Sequence, residues 1–430
     1  MNKFTFTGAR VVDPASRRDE VANVTIHGEL VVAVGGQVDG TRIDADGLVV
    51  APGLVDLHVH LREPGREDAE TVASGTAAAA AGGFTAVCPM ANTDPVCDHA
   101  GVVEQVSRLA RDAGHCDVFP VGAITRGLRG EELAEMGAMV AHGVRCFSDD
   151  GMPVRSAQVM RRALEYARTW DAIICNHAEE AALTGPAQMN EGELSSLLGL
   201  AGWPHEAEEV MVARDLILAR GRGARLHVPH VSTAGAVDLI RDAKARGARV
   251  TAEAAPHHFT LVDELVATYD PVYKVNPPLR TKEDVEAVRC GLADGTIDAI
   301  ATDHAPHPPE QKEQEWAHAP CGMLGLETAL AVTLTELVDA QPRVLTLSKA
   351  LGALSTNPAR SRDIGGHGGP IQPGAPANLV LFDPSQRWTV DERALHSRSR
   401  NTPFAGTQLR GRVISTLLRG RFTFRDGVLA

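Results

Sequence analysis

The sequence predicts a (β/α)8 barrel of the TIM type with a small β-sandwich domain built from both termini, and three observations predict it. The middle of the chain alternates buried strand with helix through eight units. Both ends are β-rich instead, with Gly- and Asp-containing turns. No glycine-rich dinucleotide fingerprint interrupts the alternation, which favours a closed barrel over a doubly wound open sheet. At 430 residues the chain exceeds one small core and suffices for a barrel with an appended domain.

In chain order, strands are expected at 4–12, 24–27, 30–34 and 41–44. The same texture returns at 378–382, 406–409 and 413–418, so residues 1–51 and 366–430 are assigned to one composite sandwich and 52–365 to the barrel. Glycines and prolines at 365–370 and 372–376 mark the junction; with no helix following, this run is not read as a phosphate loop. Barrel strands are expected at 55–59, 85–89, 118–122, 144–147, 172–176, 225–229, 249–252 and 299–302. Helices between them include 70–81, 102–113, 156–168, 206–220 and 234–245.

Composition narrows the function. A net charge of −13 without a basic cluster disfavours nucleic acid and anionic membranes, and leaves an anionic small molecule as a ligand only where cations gather locally. No apolar segment reaches the length of a membrane span, and the N-terminus lacks a signal-peptide pattern, so a cytoplasmic location is expected. Seven cysteines, odd in number and without a C-x-x-C pair, argue against a disulfide framework and a thiolate zinc cluster. The Asn23-Val-Thr25 acceptor sequence then has no bearing.

The expected chemistry sits at strand ends. Gly53-Leu-Val-Asp-Leu-His-Val-His-Leu-Arg62 carries His58 and His60 two positions apart, which places both imidazoles on one strand face, an arrangement suited to Zn²⁺. Asn92, Asp150, His177, His230 and Asp303 follow at or just beyond the ends of later strands. Any one histidine of the 17 would more often be a packing residue, but a set on one barrel mouth reads as metal ligands. Arg62 shares the face of His60, and a planar guanidinium there suits bidentate capture of a substrate carboxylate; the alternative is a surface pair with Glu63 or Glu67.

The chain resembles dihydroorotases of the bacterial class I type, within the superfamily of metal-dependent cyclic amidohydrolases. The matching motifs are Asp56-Leu-His-Val-His-Leu-Arg62, Met90-Ala-Asn-Thr93, Phe147-Ser-Asp-Asp-Gly151, Asn176-His-Ala-Glu179, His230-Val-Ser-Thr233, Val275-Asn-Pro-Pro278 and Ala301-Thr-Asp-His-Ala-Pro-His307, in the family's order across the barrel. The resemblance implies that His58, His60 and Asp303 hold one Zn²⁺, that His177 and His230 hold a second, and that Asp150 bridges them. Relatives often bridge with a carboxylated lysine on strand four; here that strand reads Val144-Arg-Cys-Phe147, and an aspartate bridge fits. The sequence does not separate Asp149 from Asp150, and Asp149 is the alternative.

Four neutral histidines and two carboxylates around two Zn²⁺ leave a site charge of about +2, able to hold an anion, and a water shared by two metals ionises near neutral pH. Asp303 is then expected to act as general acid/base. The resemblance adds Asn92, Asn276 and His307 as substrate contacts, and backbone groups around Cys321 and Gly322. Ala91 and Cys321 stand where the family commonly has Pro and Phe. His257 and His258 are left out of the metal set, His304 is read as structural, and the polar residues 308–318 are read as a mobile lid, with a solvated surface loop as the alternative.

The implied reaction interconverts N-carbamoyl-L-aspartate and L-dihydroorotate plus water in pyrimidine synthesis, with a homodimer and an association with aspartate carbamoyltransferase as the partners the family suggests. Two other readings stay open: a hydantoinase or allantoinase, and a non-catalytic homologue scaffolding a carbamoyltransferase.

Overall fold

The computed structural model describes residues 3–430 of the chain. The first fifty residues form β1 (Lys3–Thr7), β2 (Arg10–Asp13), β3 (Arg18–Val21), β4 (Val24–His27), β5 (Leu30–Val34), β6 (Thr41–Asp44) and β7 (Val49–Pro52). The run expected at 4–12 is broken in two by Gly8, whose φ of +73° is a left-handed conformation that ends one strand and re-aims the next.

The barrel begins immediately after β7. Its strands are β8 (Leu54–Val59), β9 (Phe84–Pro89), β10 (Asp117–Val118), β11 (Cys146–Phe147) and β12 (Ile173–Cys175). After a small excursion that pairs β13 (Met189–Asn190) with β14 (Gly202–Trp203), it continues with β15 (Arg225–Val228), β16 (Val250–Ala254) and β17 (Ala299–Ile300). Every barrel pairing is parallel. Parallel bridges from Gly122 to Phe147 and from Val59 to His304 join the β10-β9-β8 sheet to the β11-β12-β15-β16-β17 sheet at both edges and close the ring. Ring closure leaves no exposed edge, and it brings the ends of all the strands to one rim.

Local chemistry fixes where the crossover helices start. Thr71, Thr233 and Thr281 each accept a hydrogen bond from the third residue of the helix they precede, Val72–Ala81, Ala234–Ala245 and Lys282–Asp294. Thr233 follows His230 by three residues, so the cap that starts the helix also fixes the loop carrying that imidazole. The barrel interior below the rim is filled by Val55, Leu57, Ala86, Cys88, Cys146, Ile173, Cys175 and Ala299. Five of the seven cysteines are buried, as expected of small core residues.

The chain leaves the barrel to form β18 (Leu379–Thr389), β19 (Gln408–Leu418), β20 (Arg421–Arg425) and β21 (Val428–Leu429). A seven-stranded sheet runs β21-β20-β19-β18-β7-β2-β3, with β18 antiparallel to β7, and a four-stranded sheet runs β5-β4-β1-β6. Phe4, Phe6, Val24, Ile26, Val50, Leu379, Leu381 and Leu417 form the core they share. The segments expected at 406–409 and 413–418 are one strand, because Gly411 at φ +94° bends the chain without ending its pairing with β18. The Gly-rich run at 365–370 holds a structural post: His367 Nδ1 lies 2.9 Å from Thr85 Oγ1 and Nε2 3.0 Å from Asp117 Oδ2, at the strand starts opposite the rim. Among the described residues no helix is long and apolar enough to cross a membrane.

Candidate metal centre and active site

The end of β8 is held by Asp56, whose carboxylate accepts the backbone N–H of His58 at 3.0 Å and of Thr302 at 3.1 Å. This ties the first barrel strand to the last and aims His58 and His60 at the axis. Around them stand Asp150, beyond β11; His177, beyond β12; His230, beyond β15; and Asp303, beyond β17.

Asp150 is at the centre of this group. Its Oδ1 lies 3.3 Å from His58 Nε2, 3.5 Å from His230 Nε2 and 3.8 Å from His177 Nδ1, and its Oδ2 is 3.5 Å from His60 Nε2. Asp303 Oδ1 lies 3.2 Å from His60 Nε2 and 3.5 Å from His58 Nε2. His177 Nδ1 and His230 Nε2 approach to 3.0 Å. Two sets of converging ligand atoms result, one from His58, His60 and Asp150 and one from Asp150, His177 and His230, all buried and sharing the aspartate. Asp149 faces away: its carboxylate accepts from the backbone of Ile124 and Thr125 and from the Thr125 hydroxyl.

These residues fit divalent cations. Among the described residues His58 Nε2 and Asp150 Oδ1 are buried without a hydrogen-bond partner, a costly arrangement that a cation relieves. The 3.3–3.8 Å spacings around Asp150 Oδ1 resemble the roughly 3.4 Å between ligands on a tetrahedral ion with bonds of about 2.1 Å. The opposite ring nitrogen of three histidines is anchored, which fixes the tautomer that leaves a lone pair toward the centre. His58 Nδ1 donates to Glu253 at 2.9 Å, His60 Nδ1 to Asn92 Oδ1 at 3.0 Å and His177 Nε2 to Glu179 at 3.1 Å. Burial alone would raise the carboxyl of Glu253, but the imidazoles of His227 and His58 outweigh it and hold it well below the usual carboxylate range. Three site residues, Arg62, His230 and Asp303, have positive φ (63°, 31° and 48°), the kind of backbone strain that gathers at functional sites.

A cavity of about 260 Å³ opens on this centre, and His60, Asp150, His177, His230, Asp303, Arg62, Asn92, Asn276, His307, Cys321 and Gly322 all line it. His58 lies beneath, fully buried. Arg62 points into the pocket: its Nε donates to Pro306 O at 3.1 Å, while Glu63 and Glu67 accept from backbone N–H groups elsewhere. Burial, with Arg66 nearby, lowers the Arg62 guanidinium to about 10, so it stays charged at neutral pH. His307 donates from Nε2 to Cys321 O at 2.8 Å; burial and the adjoining Arg62 and Lys312 push it down to about 2, so it is neutral. Its Nδ1, like Asn276 Oδ1, is buried without a hydrogen-bond partner among the described residues. A side chain on Gly322 would meet Ala305 Cβ and His307 Nε2 at 2.8 Å, which explains glycine at this close approach.

Asn92, Cys321 and Gly322 have partners within the protein that the sequence does not show, while His304, His257 and His258 stand outside the metal set as expected. Asn92 Oδ1 is taken up by His60 and its Nδ2 lies 3.4 Å from Asp150 O, so it supports ligand residues as well as lining the pocket. At Cys321 and Gly322 the carbonyls already accept, from His307 and Asn401, and Gly322 N donates to Lys274 O at 3.0 Å. His304 approaches Glu70 at 3.4 Å, and His258 Nε2 donates to Pro277 O at 3.0 Å; these imidazoles and His257 lie outside both ligand sets. The polar 308–318 segment is fastened down: Lys274 Nζ donates to Trp316 O at 2.6 Å, and Lys312 Nζ to Lys274 O at 2.9 Å and Pro320 O at 2.8 Å.

Sequence reasoning assigned no role to Glu253 or Glu179. Each had a readable signal: Glu253 is a charged residue inside the apolar strand β16, and Glu179 closes the Asn176-His-Ala-Glu179 motif.

A family profile described as dihydro-orotase-like matches residues 47–236. A protein named dihydroorotase from Streptomyces coelicolor is 54% identical over 100% of both chains, and one from Leifsonia xyli is 53% identical over 99% of this chain and 97% of its own. Among solved structures, an L-hydantoinase (dihydropyrimidinase) from Arthrobacter aurescens matches at a TM-score of 0.88 with 26% identity, over 99% of this chain and 97% of that one.

Proposed function

The chain belongs to the dihydroorotase family, and on that premise we propose how its barrel mouth interconverts N-carbamoyl-L-aspartate and L-dihydroorotate plus water in pyrimidine biosynthesis. The observation that carries the reading is the convergence of four imidazoles on Asp150, with Asp303 against two of them, His58 and His60, and the Arg62 cation lining the same cavity.

The ligand sets would hold Zn²⁺, two ions per subunit, through His58, His60 and Asp303 on one side and His177 and His230 on the other, with Asp150 shared. Such ions supply Lewis acidity and water activation near neutral pH. The chain's own residues do the rest. Arg62 holds the substrate carboxylate as a charged hydrogen-bonded pair, and the neutral His307 beside it adds no competing charge. Asp303 accepts the proton released when water attacks the ring amide carbonyl and returns it to the ring nitrogen as the C–N bond breaks. In the cyclising direction the same carboxylate takes the ureido proton as nitrogen attacks the carboxyl carbon and water departs.

The test pairs elemental analysis with assays on dihydroorotate, hydantoin and allantoin. Stoichiometric metal and turnover of dihydroorotate in both directions are expected. Turnover of hydantoin or allantoin with none of dihydroorotate would replace this reading with the cyclic amidohydrolase alternative, and bound metal without turnover would favour a scaffold.

A further inference from the structure

Glu179 has a position that the metal centre alone does not require. Its carboxylate is surrounded by donors: His177 Nε2 and Asn276 Nδ2, both 3.1 Å from Oε2, and Thr184 Oγ1, 2.7 Å from Oε1. The Asn276 Nδ2 and Thr184 Oγ1 both donate to this carboxylate, so the Asn276 group facing Glu179 is the NH₂, and the amide oxygen is turned the other way. That oxygen is buried and has no hydrogen-bond partner among the described residues, and Asn276 lines the substrate cavity.

We propose that Glu179 is a positioning residue that locks the Asn276 amide with its oxygen toward the substrate, so that the pocket demands an N–H from the ligand at that point. The inference rests on the dihydroorotase reading and extends it: both the ring amide of dihydroorotate and the ureido group of carbamoyl-aspartate carry N–H groups able to satisfy Asn276 Oδ1. A site with an unpaired buried acceptor rejects ligands that leave it unpaired. One carboxylate oxygen also serves His177, so substrate recognition and the orientation of a ligand imidazole share an anchor.

The test is a double-mutant cycle on Glu179→Leu and Asn276→Leu, with Glu179→Gln as the conservative variant, reading kcat and KM for dihydroorotate and metal content by elemental analysis. Glu179→Leu frees the amide to rotate, and KM is expected to rise about 10–100-fold with a smaller change in kcat. Glu179→Gln keeps an acceptor oxygen and is expected to stay within about threefold of the wild type in KM. The double variant is expected to be no more than about threefold worse than Asn276→Leu, because Glu179 acts on the substrate through Asn276. Multiplying effects in the double variant, or a Glu179→Leu enzyme that loses metal with an unchanged KM, would overturn the proposal. Should Glu179→Leu not fold, Thr184→Val, which releases one arm of the carboxylate, is expected to raise KM severalfold, and an unchanged KM counts against the lock. A wild type without turnover of dihydroorotate would reject the functional reading instead, a separate result.

Discussion

Asp303 Oδ1 lies 3.2 Å from His60 Nε2 while its residue sits at a φ of +48°, so a strained backbone holds a carboxylate against the imidazole pair of the first barrel strand. Asp303→Asn keeps the shape and removes the proton acceptor. It is expected to lower kcat by roughly 10²–10⁴-fold in both directions. Elemental analysis on the same preparation separates lost proton transfer from lost metal; a near-normal rate would remove Asp303 from the chemistry.

Glu253 reaches His58 and His227 with separate oxygens, each at 2.9 Å. Glu253→Gln weakens the acceptor that fixes the His58 tautomer, and metal retention against a chelator is expected to fall about 10–100-fold. Chelation of the wild type is expected to abolish turnover, with Zn²⁺ restoring it.

Asp149 and Asp150 are neighbours in sequence with different partners. Asp149→Ala strands the buried N–H groups of Ile124 and Thr125, at an expected cost of roughly 3 kcal/mol in stability with metal content retained. Asp150→Ala is expected to do the reverse, losing metal more than stability. Thermal melts and elemental analysis on the pair check both outcomes.

Arg62→Lys keeps a positive charge and loses the fork. KM for dihydroorotate is expected to rise at least tenfold, because an ammonium lacks the paired donors of a guanidinium. Steady-state kinetics across a salt series would show whether charge or geometry carries the effect.

Lys312 is pushed down to about 7, chiefly by burial and then by Lys274, with Cys321 and Asp270 pulling the other way. A neutral amine has two N–H groups, matching its two carbonyl acceptors, Lys274 O and Pro320 O. The folded pKa is below the unfolded one, so between about pH 7 and 10 the unfolded segment binds more protons and stability rises with pH. Proteolysis within 308–318 is therefore expected to be slower at pH 9 than at pH 6, after correction for protease activity. Lys312→Met is expected to flatten that dependence.

Much of the barrel was legible because a buried parallel strand is a short apolar run, and the strand ends then gave an address for His58, His177, His230 and Asp303. What the sequence left unresolved is chemistry decided by side-chain direction. Asp149 and Asp150 are the same residue type at adjacent positions, and only the fold reveals which one turns to Thr125. Glu253 and Glu179 were passed over for a related reason: acids that support a histidine carry no spacing rule of their own, since their partners lie 195 residues away for His58 and Glu253 and two for His177 and Glu179. The 308–318 segment reads as a solvated loop from its polarity, yet Lys312 is 3% exposed, and no local pattern announces that burial.

The pairing of β7 with β18 also has a consequence for biosynthesis. β7 ends at Pro52 and its antiparallel neighbour begins at Leu379, so one edge of the early strand waits while the ribosome makes the entire barrel. During that interval Val49, Val50 and Ala51, apolar and β-branched in part, have no hydrogen-bonding partner on that side. The nascent chain thus passes through a stage in which its finished barrel carries an unfinished sheet, and that stage is where a chaperone, or a neighbouring nascent chain, has its opening.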